Sequence, residues 1–211
     1  MSSPNPSELT RLLERVAGGE AAAWQTLMRD YHQRLLRMVL VRLDPRLQSR
    51  IDPEDILQDV YLDAMQRLPE YVRQPKFPFF LWLRLQTGHW LARAHRHHLG
   101  TQQRDPRREI SIFRNDVPQA SSAALAIQLL GREARPSEAA QHEERKQRIQ
   151  RALDALEPIN REILSLRHFE HLTRAEVGQV LGISEAAAGK RYLRALTRLK
   201  ESMAGEKWEG F

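Results

Sequence analysis

The stretch that decides the fold is residues 173–199, TRAEVGQVLGISEAAAGKRYLRALTRL. Thr173 with Glu176 three residues later forms a capping box, which predicts the start of a helix. Gly182 predicts the end of that helix, because glycine adopts the left-handed conformation without a Cβ clash. Ser184 then predicts the N-cap of a second helix. Two short helices joined by so tight a turn predict a helix-turn-helix.

The second helix of this motif is predicted to be strongly basic. Its charged residues are Lys190, Arg191, Arg194, Arg198 and Lys200, against Glu185 and Glu201. A basic second helix is the usual means by which such a motif enters the DNA major groove. Cap, turn glycine and charge agree, so we predict DNA binding. The competing interpretation is a helical hairpin whose basic face is only solvated.

Composition limits the classes of protein to which the chain can belong. The 211 residues carry a formal net charge of +6, which suits a polyanionic partner. The absence of cysteine excludes disulfides and thiolate metal sites. The N-terminal residues lack the apolar core of a signal peptide, and no run of about 18 apolar residues could span a membrane. We therefore expect a soluble cytoplasmic protein.

Apolar residues at helical spacing predict four helices before residue 99. The first is capped by Ser7, the second covers 21–41, the third starts at Asp52-Pro53 and is limited by Pro69, and the fourth covers 79–98. Residues 71–78, which contain two prolines, are predicted to form a loop. We see no strand-like alternation, so the expected fold class is all-α.

The helical pattern fades after residue 98 and resumes at Ser137, which is predicted to cap a new helix. The intervening residues are polar, mixed in charge and interrupted by prolines, which is typical of a flexible linker. The predicted organisation is a helical domain over 1–98, a linker over 99–136, a second helical domain over 137–203 and a tail over 204–211.

Four aspartates form an acidic stripe along the predicted third helix. Asp52, Asp55, Asp59 and Asp63 are spaced by three, four and four residues, which places them on one helix face. Three interpretations remain open: a solvated face, a docking face for a basic protein, and a carboxylate cluster holding the metal of a nuclease. The third is the weakest, because no second carboxylate motif complements the stripe.

The predicted fourth helix combines aromatic, basic and polar side chains. Those able to stack on bases or to hold phosphates are Arg84, Gln86, Thr87, His89, Trp90, Arg93 and His97. His95, His97 and His98 lie at the end of this helix without acidic partners. They favour a basic terminus matched to the helix dipole over a metal site.

Taken together, the chain resembles a bacterial ECF sigma factor, the small two-domain type of RNA polymerase sigma subunit. The motif IDPEDILQDVYLDAM at 51–65 resembles the polymerase-binding helix of sigma region 2. Residues 77–98 resemble the part of region 2 that melts and reads the minus-ten element. Residues 152–196 resemble region 4, which reads the minus-thirty-five element. Both regions in this order are specific to that family.

The resemblance implies a role for each matched residue. Asp55, Gln58 and Asp59 are expected to bind the β′ clamp helices of core RNA polymerase, and region 4 is expected to meet the β flap. The residues expected at the minus-ten element are Arg73, Gln74, Lys76, Arg84, Thr87, Trp90 and Arg93. Those expected at the minus-thirty-five element are Ser184, Glu185, Lys190, Arg191 and Arg194.

The resemblance therefore implies a non-enzymatic factor that directs core RNA polymerase to promoter DNA and needs no cofactor or metal. Two rivals remain: a free-standing helix-turn-helix regulator that acts without polymerase, and a metal-dependent nuclease built on residues 52–63. The sequence does not specify the promoter sequence, the regulon or the inducing signal. It also leaves open whether an anti-sigma factor binds and what oligomeric state the free chain has.

Overall fold

The computed structural model describes residues 5–99, 117–130 and 139–203, and every regular element within these ranges is helical. The helices are α1 (Pro6–Ala17), α2 (Ala21–Arg42), α3 (Pro53–Arg73), α4 (Phe79–Leu99), α5 (Ser122–Leu130), α6 (Ala139–Asp154), α7 (Pro158–Leu164), α8 (Arg174–Leu181) and α9 (Glu185–Ser202). A π-helical turn, Ser165–Phe169, extends α7. The predicted all-α class is confirmed. The predicted cap at Ser137 and the predicted tail over 204–211 lie outside the described residues.

Helix α4 is the central element of the first four helices. Phe79, Phe80, Leu81, Trp82 and Leu83 are all buried, so this end of the helix contacts protein on every side. The rings of Phe79 and Trp82 stack with centroids 5.6 Å apart. Helices α2 and α3 pack against α4 through their own apolar faces. This packing fixes the direction in which each helix presents its polar side.

Two predicted helix limits are wrong. The N-cap of helix α1 is Asn5, two residues before the predicted cap, because Asn5 accepts a hydrogen bond from the Ser7 amide (3.4 Å) and Pro6 occupies the first position. Helix α3 continues through Pro69 and ends at Arg73. Beyond the proline, Tyr71 packs on Trp82 with ring centroids 4.8 Å apart, which compensates for the hydrogen bond that Pro69 cannot donate. The loop is therefore 74–78.

The helix-turn-helix forms as the sequence predicts. Thr173 Oγ1 accepts from the Glu176 amide at 3.2 Å, and Glu176 accepts in return from the Thr173 amide at 2.7 Å. Gly182 adopts φ 66°, in the left-handed region. A Cβ on Gly178 would lie 2.7 Å from the Ile183 carbonyl oxygen, so glycine is required where the turn crosses α8. Ser184 Oγ accepts from the Ala187 amide at 3.2 Å and starts α9.

The two halves of the chain pack against each other. One apolar cluster joins α1–α4 to Ile163, Leu166, Val177 and Leu181 of the second half. Helix α5, which falls within the predicted linker, packs on α6 and α2. Residues 100–116 and 131–136 of that linker lie outside the described ranges. The division into domains over 1–98 and 137–203 stays a prediction.

Candidate nucleic-acid and protein interfaces

Helix α9 presents a basic face to solvent. Of the residues predicted at the minus-thirty-five element, Glu185, Lys190 and Arg194 are exposed. Ser184 lies at the N-terminus of the same helix, where its side chain is engaged as the cap. Buried Ala188, Ala195 and Leu199 hold the opposite face against the protein. The lysine and the arginine on this face can therefore meet a polyanion without disturbing the core.

Arg191 is placed differently from its neighbours on α9. It is half-buried, and its Nη1 lies 3.5 Å from both Glu157 Oε2 and Asn160 Oδ1 on the α7 side. Arg198 approaches the same glutamate, with its Nη1 3.8 Å from Oε1. Arg191 thus ties α9 to α7, whereas Arg194 projects from the open face.

Sequence reasoning missed one residue of this open face. Leu193 is 60% exposed on α9, and it lines a shallow depression together with Arg174, Ala186, Gly189 and Lys190. Its position between Lys190 and Arg194 was readable from the helical spacing. An apolar residue is expected in the core, however, and the sequence alone does not reveal that this one faces outward.

The acidic stripe on α3 is an exposed surface. Asp55, Gln58 and Asp59 are all exposed, whereas Ile56, Leu57 and Val60 face the core, as their spacing predicts. Two large apolar residues continue the surface along the helix: Leu62 is 57% exposed and Met65 is 45% exposed. The surface therefore combines carboxylates with apolar side chains, which distinguishes it from a merely solvated acidic face.

Asp63 lies at the edge of the acidic stripe and has basic neighbours. Its Oδ2 is 3.7 Å from Arg67 Nη2 and 4.0 Å from Arg93 Nη2.

Within the described ranges, no three His, Asp or Glu side chains come together in a way that would hold a metal ion. Of the three histidines at the end of α4, His95 accepts a hydrogen bond from the Asp44 amide at 3.2 Å. His97 and His98 are exposed.

The residues predicted on the DNA-facing side of α4 separate into two groups. Arg93 is exposed and Trp90 is half-buried. Arg84 and Thr87, by contrast, are 1% and 0% exposed. Arg84 pairs with Glu170 from the second half of the chain, and Thr87 Oγ1 donates to the Leu83 carbonyl at 2.9 Å. In this arrangement neither Arg84 nor Thr87 can touch DNA, because each lies beneath other parts of the protein.

The loop before α4 presents three polar side chains. Arg73, Gln74 and Lys76 are all exposed, with Arg73 in the last turn of α3. The Tyr71 hydroxyl donates to the Phe77 carbonyl at 2.9 Å and so fixes the end of the loop to the aromatic cluster. The loop is thus anchored at its base, while its basic residues face solvent.

Comparison with known proteins supports the helix-turn-helix and identifies similar proteins. The family model described as Sigma-70, region 4 matches residues 146–199, which include the helix-turn-helix. A curated relative, the "ECF RNA polymerase sigma factor ShbA" of Streptomyces griseus subsp. griseus, is 29% identical over 194 residues, covering 90% of this chain and 92% of that protein. The chain is similar to an ECF RNA polymerase sigma factor over nearly its whole length.

Two further proteins are similar to this chain. The "Probable RNA polymerase sigma factor RfaY" of Xanthomonas campestris pv. campestris is 32% identical over 155 residues, which make up 71% of this chain but only 34% of that relative's length. The solved structure of CnrH, in complex with the cytosolic domain of CnrY, superposes with a TM-score of 0.54 and 19% identity. The superposition covers 93% of this chain and 97% of CnrH, and it supports the all-helical fold described above.

No helix in the described part of the chain is both long and apolar enough to cross a membrane.

Proposed function

We propose that the chain binds core RNA polymerase and directs it to start transcription at specific promoters. The observation that carries this proposal is that the region 4 match coincides with a helix-turn-helix whose basic face, with Lys190 and Arg194, is open to solvent. The protein acts as a non-enzymatic factor, and the polymerase performs the chemistry.

The acidic–apolar surface of α3 is the proposed polymerase-binding site. Asp55, Gln58 and Asp59 would meet the basic β′ clamp helices, and the exposed Leu62 and Met65 would supply apolar contact beside them. Opposite charges steer the encounter and fix its register, whereas the apolar contacts supply most of the affinity. The free-standing regulator gives this surface no role, which favours the sigma factor proposal. Region 4 is proposed to meet the β flap.

The DNA-binding roles are proposed separately for each half. In the first half, Arg73, Gln74 and Lys76 would capture a base of the opened minus-ten element, beside Arg84, Thr87, Trp90 and Arg93 on α4. In the second half, the N-terminal turns of α9 would read the minus-thirty-five element. These turns carry Ser184, Glu185, Lys190, Arg191 and Arg194.

A regulatory protein partner is also proposed. CnrH, whose fold this chain shares, is solved in complex with the cytosolic domain of CnrY. This supports an anti-sigma factor as a further partner of this chain.

Run-off transcription tests the proposed function. Purified chain and core polymerase are mixed with genomic DNA, and the start sites are mapped. We expect starts at a defined set of sites that share two upstream elements, and we expect none of them with core polymerase alone. Failure of the chain to bind core polymerase while it still binds DNA would instead support the free-standing regulator.

A further inference from the structure

One large apolar side chain stands on the open basic face of α9. Leu193 is 60% exposed, more than any other large apolar side chain among the described residues. The other exposed ones, Leu62, Met65 and Val72, all lie on α3 in the first half of the chain. Within the described residues 139–203, Leu193 is therefore the one large apolar side chain that the fold leaves exposed.

The orientation of Leu193 is fixed by the opposite side of α9. Ala195, which lies two residues further and therefore about 200° round the helix, is buried. The Tyr192 hydroxyl lies 2.8 Å from His168 Nε2, and Arg191 reaches the α7 side. Helix α9 therefore cannot rotate to bury Leu193 without losing these contacts.

The neighbours of Leu193 on the exposed face are either charged or very small. Lys190 lies three residues before it and Arg194 directly follows it, and both are exposed. Gly189 and Ala186 lie four and seven residues before it, on the same stripe of the helix. Because a helical side chain leans towards the N-terminus, Leu193 lies beside the space that Gly189 leaves open.

Packing inside the protein does not require glycine at position 189. A Cβ on Gly189 would lie 3.6 Å from Arg174 Cδ, which is an ordinary van der Waals distance. At Gly178, by contrast, a Cβ would lie 2.7 Å from a carbonyl oxygen. Glycine is nevertheless among the least favourable residues in the interior of a helix. The open space beside Leu193 thus has no cause within the fold, and it suits a group that approaches from outside.

The chemistry of leucine restricts what Leu193 can recognise on DNA. Its side chain neither donates nor accepts hydrogen bonds, so it cannot distinguish the polar edges of the base pairs. Thymine alone among the four DNA bases presents an apolar group in the major groove, its C5 methyl, and apolar side chains recognise thymine through that group. Lys190 and Arg194 supply the positive charge that holds this face of α9 against DNA. Such close approach excludes water from Leu193, and the hydrophobic effect then favours contact with the methyl group.

We propose that Leu193 is a specificity-determining residue: it contacts the C5 methyl of a thymine in the upstream promoter element, and Gly189 leaves room for that base. This inference deepens the proposed function and rests on it. The upstream element recognised by this chain then contains a thymine that is read through its methyl group and not through a hydrogen-bonding atom. A protein partner that covered Leu193 instead would not distinguish thymine from uracil in the DNA.

Replacement of thymine by deoxyuridine tests the proposal, because it removes the C5 methyl and leaves every hydrogen-bonding atom in place. The full chain is combined with core polymerase, and its affinity is measured for promoter fragments identified by run-off transcription. Each thymine of the upstream element is replaced in turn. We expect one position at which the replacement weakens binding about fourfold, since burial of one methyl-sized group contributes about 0.8 kcal/mol. An upstream element without thymine, or equal affinity for all the fragments, would overturn the proposal.

Variants of Leu193 assign the methyl effect to this side chain. Leu193→Ala should weaken binding to the thymine fragment and abolish the difference between thymine and uracil at that position. Leu193→Met keeps an apolar side chain of similar volume and should keep the difference. Thr197→Ala, at an exposed position one turn further along α9, is the matched control and should also keep it. A difference that persists in Leu193→Ala would mean that another group reads the methyl.

The role of Gly189 is tested by filling the space beside Leu193. Leucine favours a helix more than glycine does, so Gly189→Leu should fold. Its side chain would occupy the space proposed for the base, and we expect promoter binding to weaken about tenfold. Gly189→Ala, which adds only the Cβ, should have a smaller effect. Wild-type affinity of Gly189→Leu would exclude a base from this space.

The outcomes separate this inference from the proposed function. Absence of specific transcription in the run-off assay overturns the proposed function, and the reading of thymine falls with it. Specific transcription with equal affinity for thymine and uracil fragments overturns the reading of thymine alone. If Leu193→Ala then weakens promoter binding equally for both kinds of fragment, Leu193 contacts a protein and not a base.

Discussion

Glu170 and Arg84 are 86 residues apart in sequence, yet Oε2 of the one lies 2.5 Å from Nε of the other in a site without solvent. This pair joins a helix proposed to read one promoter element to the segment preceding the helix-turn-helix proposed to read another. The same arginine can therefore pair with Glu170 or contact DNA, but not both at once.

Loss of the Glu170 charge should destabilise the chain. We expect Glu170→Gln to lower the free energy of unfolding by about 3 kcal/mol, because Arg42 and Arg84 would stay buried with one compensating carboxylate fewer. Urea denaturation followed by circular dichroism measures the change. The exposed Glu157→Gln is the control and should cost less than about 1 kcal/mol. Equal losses in the two variants would contradict this account of the buried pairs that Glu170 forms with Arg42 and Arg84.

Reversal of the acidic surface should abolish polymerase binding. Asp55→Arg combined with Asp59→Arg replaces attraction by repulsion at an exposed face, so the fold should persist. Pull-down with core polymerase should show at least a hundredfold weaker binding. The control reverses two exposed glutamates away from this surface, Glu14→Arg with Glu70→Arg, and should bind as wild type. Wild-type affinity of the aspartate variant would disprove the docking role.

The two arginines on α9 should behave differently. Arg194→Ala should relax sequence preference at one position of the upstream element, since an arginine on a guanine gives about 1–3 kcal/mol of discrimination. Arg191→Ala should chiefly loosen the α7–α9 contact, because Arg191 faces Glu157 and Asn160. Lys190→Ala should weaken binding uniformly across sequences. Binding-site selection on randomised upstream elements measures all three. A preference changed by Arg191→Ala but not by Arg194→Ala would reverse the assignment.

The loop 74–78 and the preceding Arg73 should act in strand opening. Replacing Arg73, Gln74 and Lys76 with alanine removes exposed groups that could receive an extruded base, whose unstacking costs a few kcal/mol. We expect opening to slow about tenfold, equivalent to about 1.4 kcal/mol, with closed-complex formation nearly unchanged. A fluorescent base analogue in the minus-ten element reports opening in stopped flow. Alanine at Arg145, Gln147 and Arg148 on α6 is the matched control; equal rates in both variants would exclude this loop.

His168 should make stability depend on pH. Burial, followed by the charge of nearby Arg167, lowers its pKa to about 4, and Tyr192 OH lies 2.8 Å from its Nε2. The unfolded chain protonates this residue near pH 6.5, so the stability present above that pH is lost as the pH falls towards 4. After allowance for partial exposure, we expect a loss of about 1 to 2 kcal/mol.

The variant His168→Gln tests this pH dependence. Urea denaturation at pH 7.5 and pH 5 should show a smaller difference in the variant than in wild type. Some slope should remain, because burial also lowers the pKa of His95 and of His171. An identical slope in variant and wild type would mean that His168 does not contribute.

The features that could be predicted from sequence are those whose causes are local. The capping box at Thr173 and the left-handed Gly182 depend on residues within one helical turn, and both are confirmed. The extension of α3 beyond Pro69 could not be predicted, because it depends on the packing of Tyr71 against α4. A cap at Ser7 was a reasonable expectation, but the neighbouring Asn5 competes for the same helix end.

In the candidate sites, too, the features set by local spacing could be predicted and those set by distant residues could not. Exposure of Asp55 and Asp59 follows from helical spacing, since the opposite face is apolar. Burial of Arg84 does not, because its partner Glu170 belongs to a distant helical turn and nothing in the local pattern links the two. Arg191 and Arg194 look alike in sequence, and only the position of α7 distinguishes them.

Burial of the Arg84–Glu170 pair determines how the protein responds to ionic strength. Salt screens exposed charges over about 8–10 Å at physiological concentrations but acts much less on buried pairs. The affinity of the exposed Lys190 and Arg194 for DNA should therefore fall steeply as salt rises. The contact between the halves should hardly change. A change in salt concentration would therefore alter the affinity for DNA while the two halves stay packed against each other.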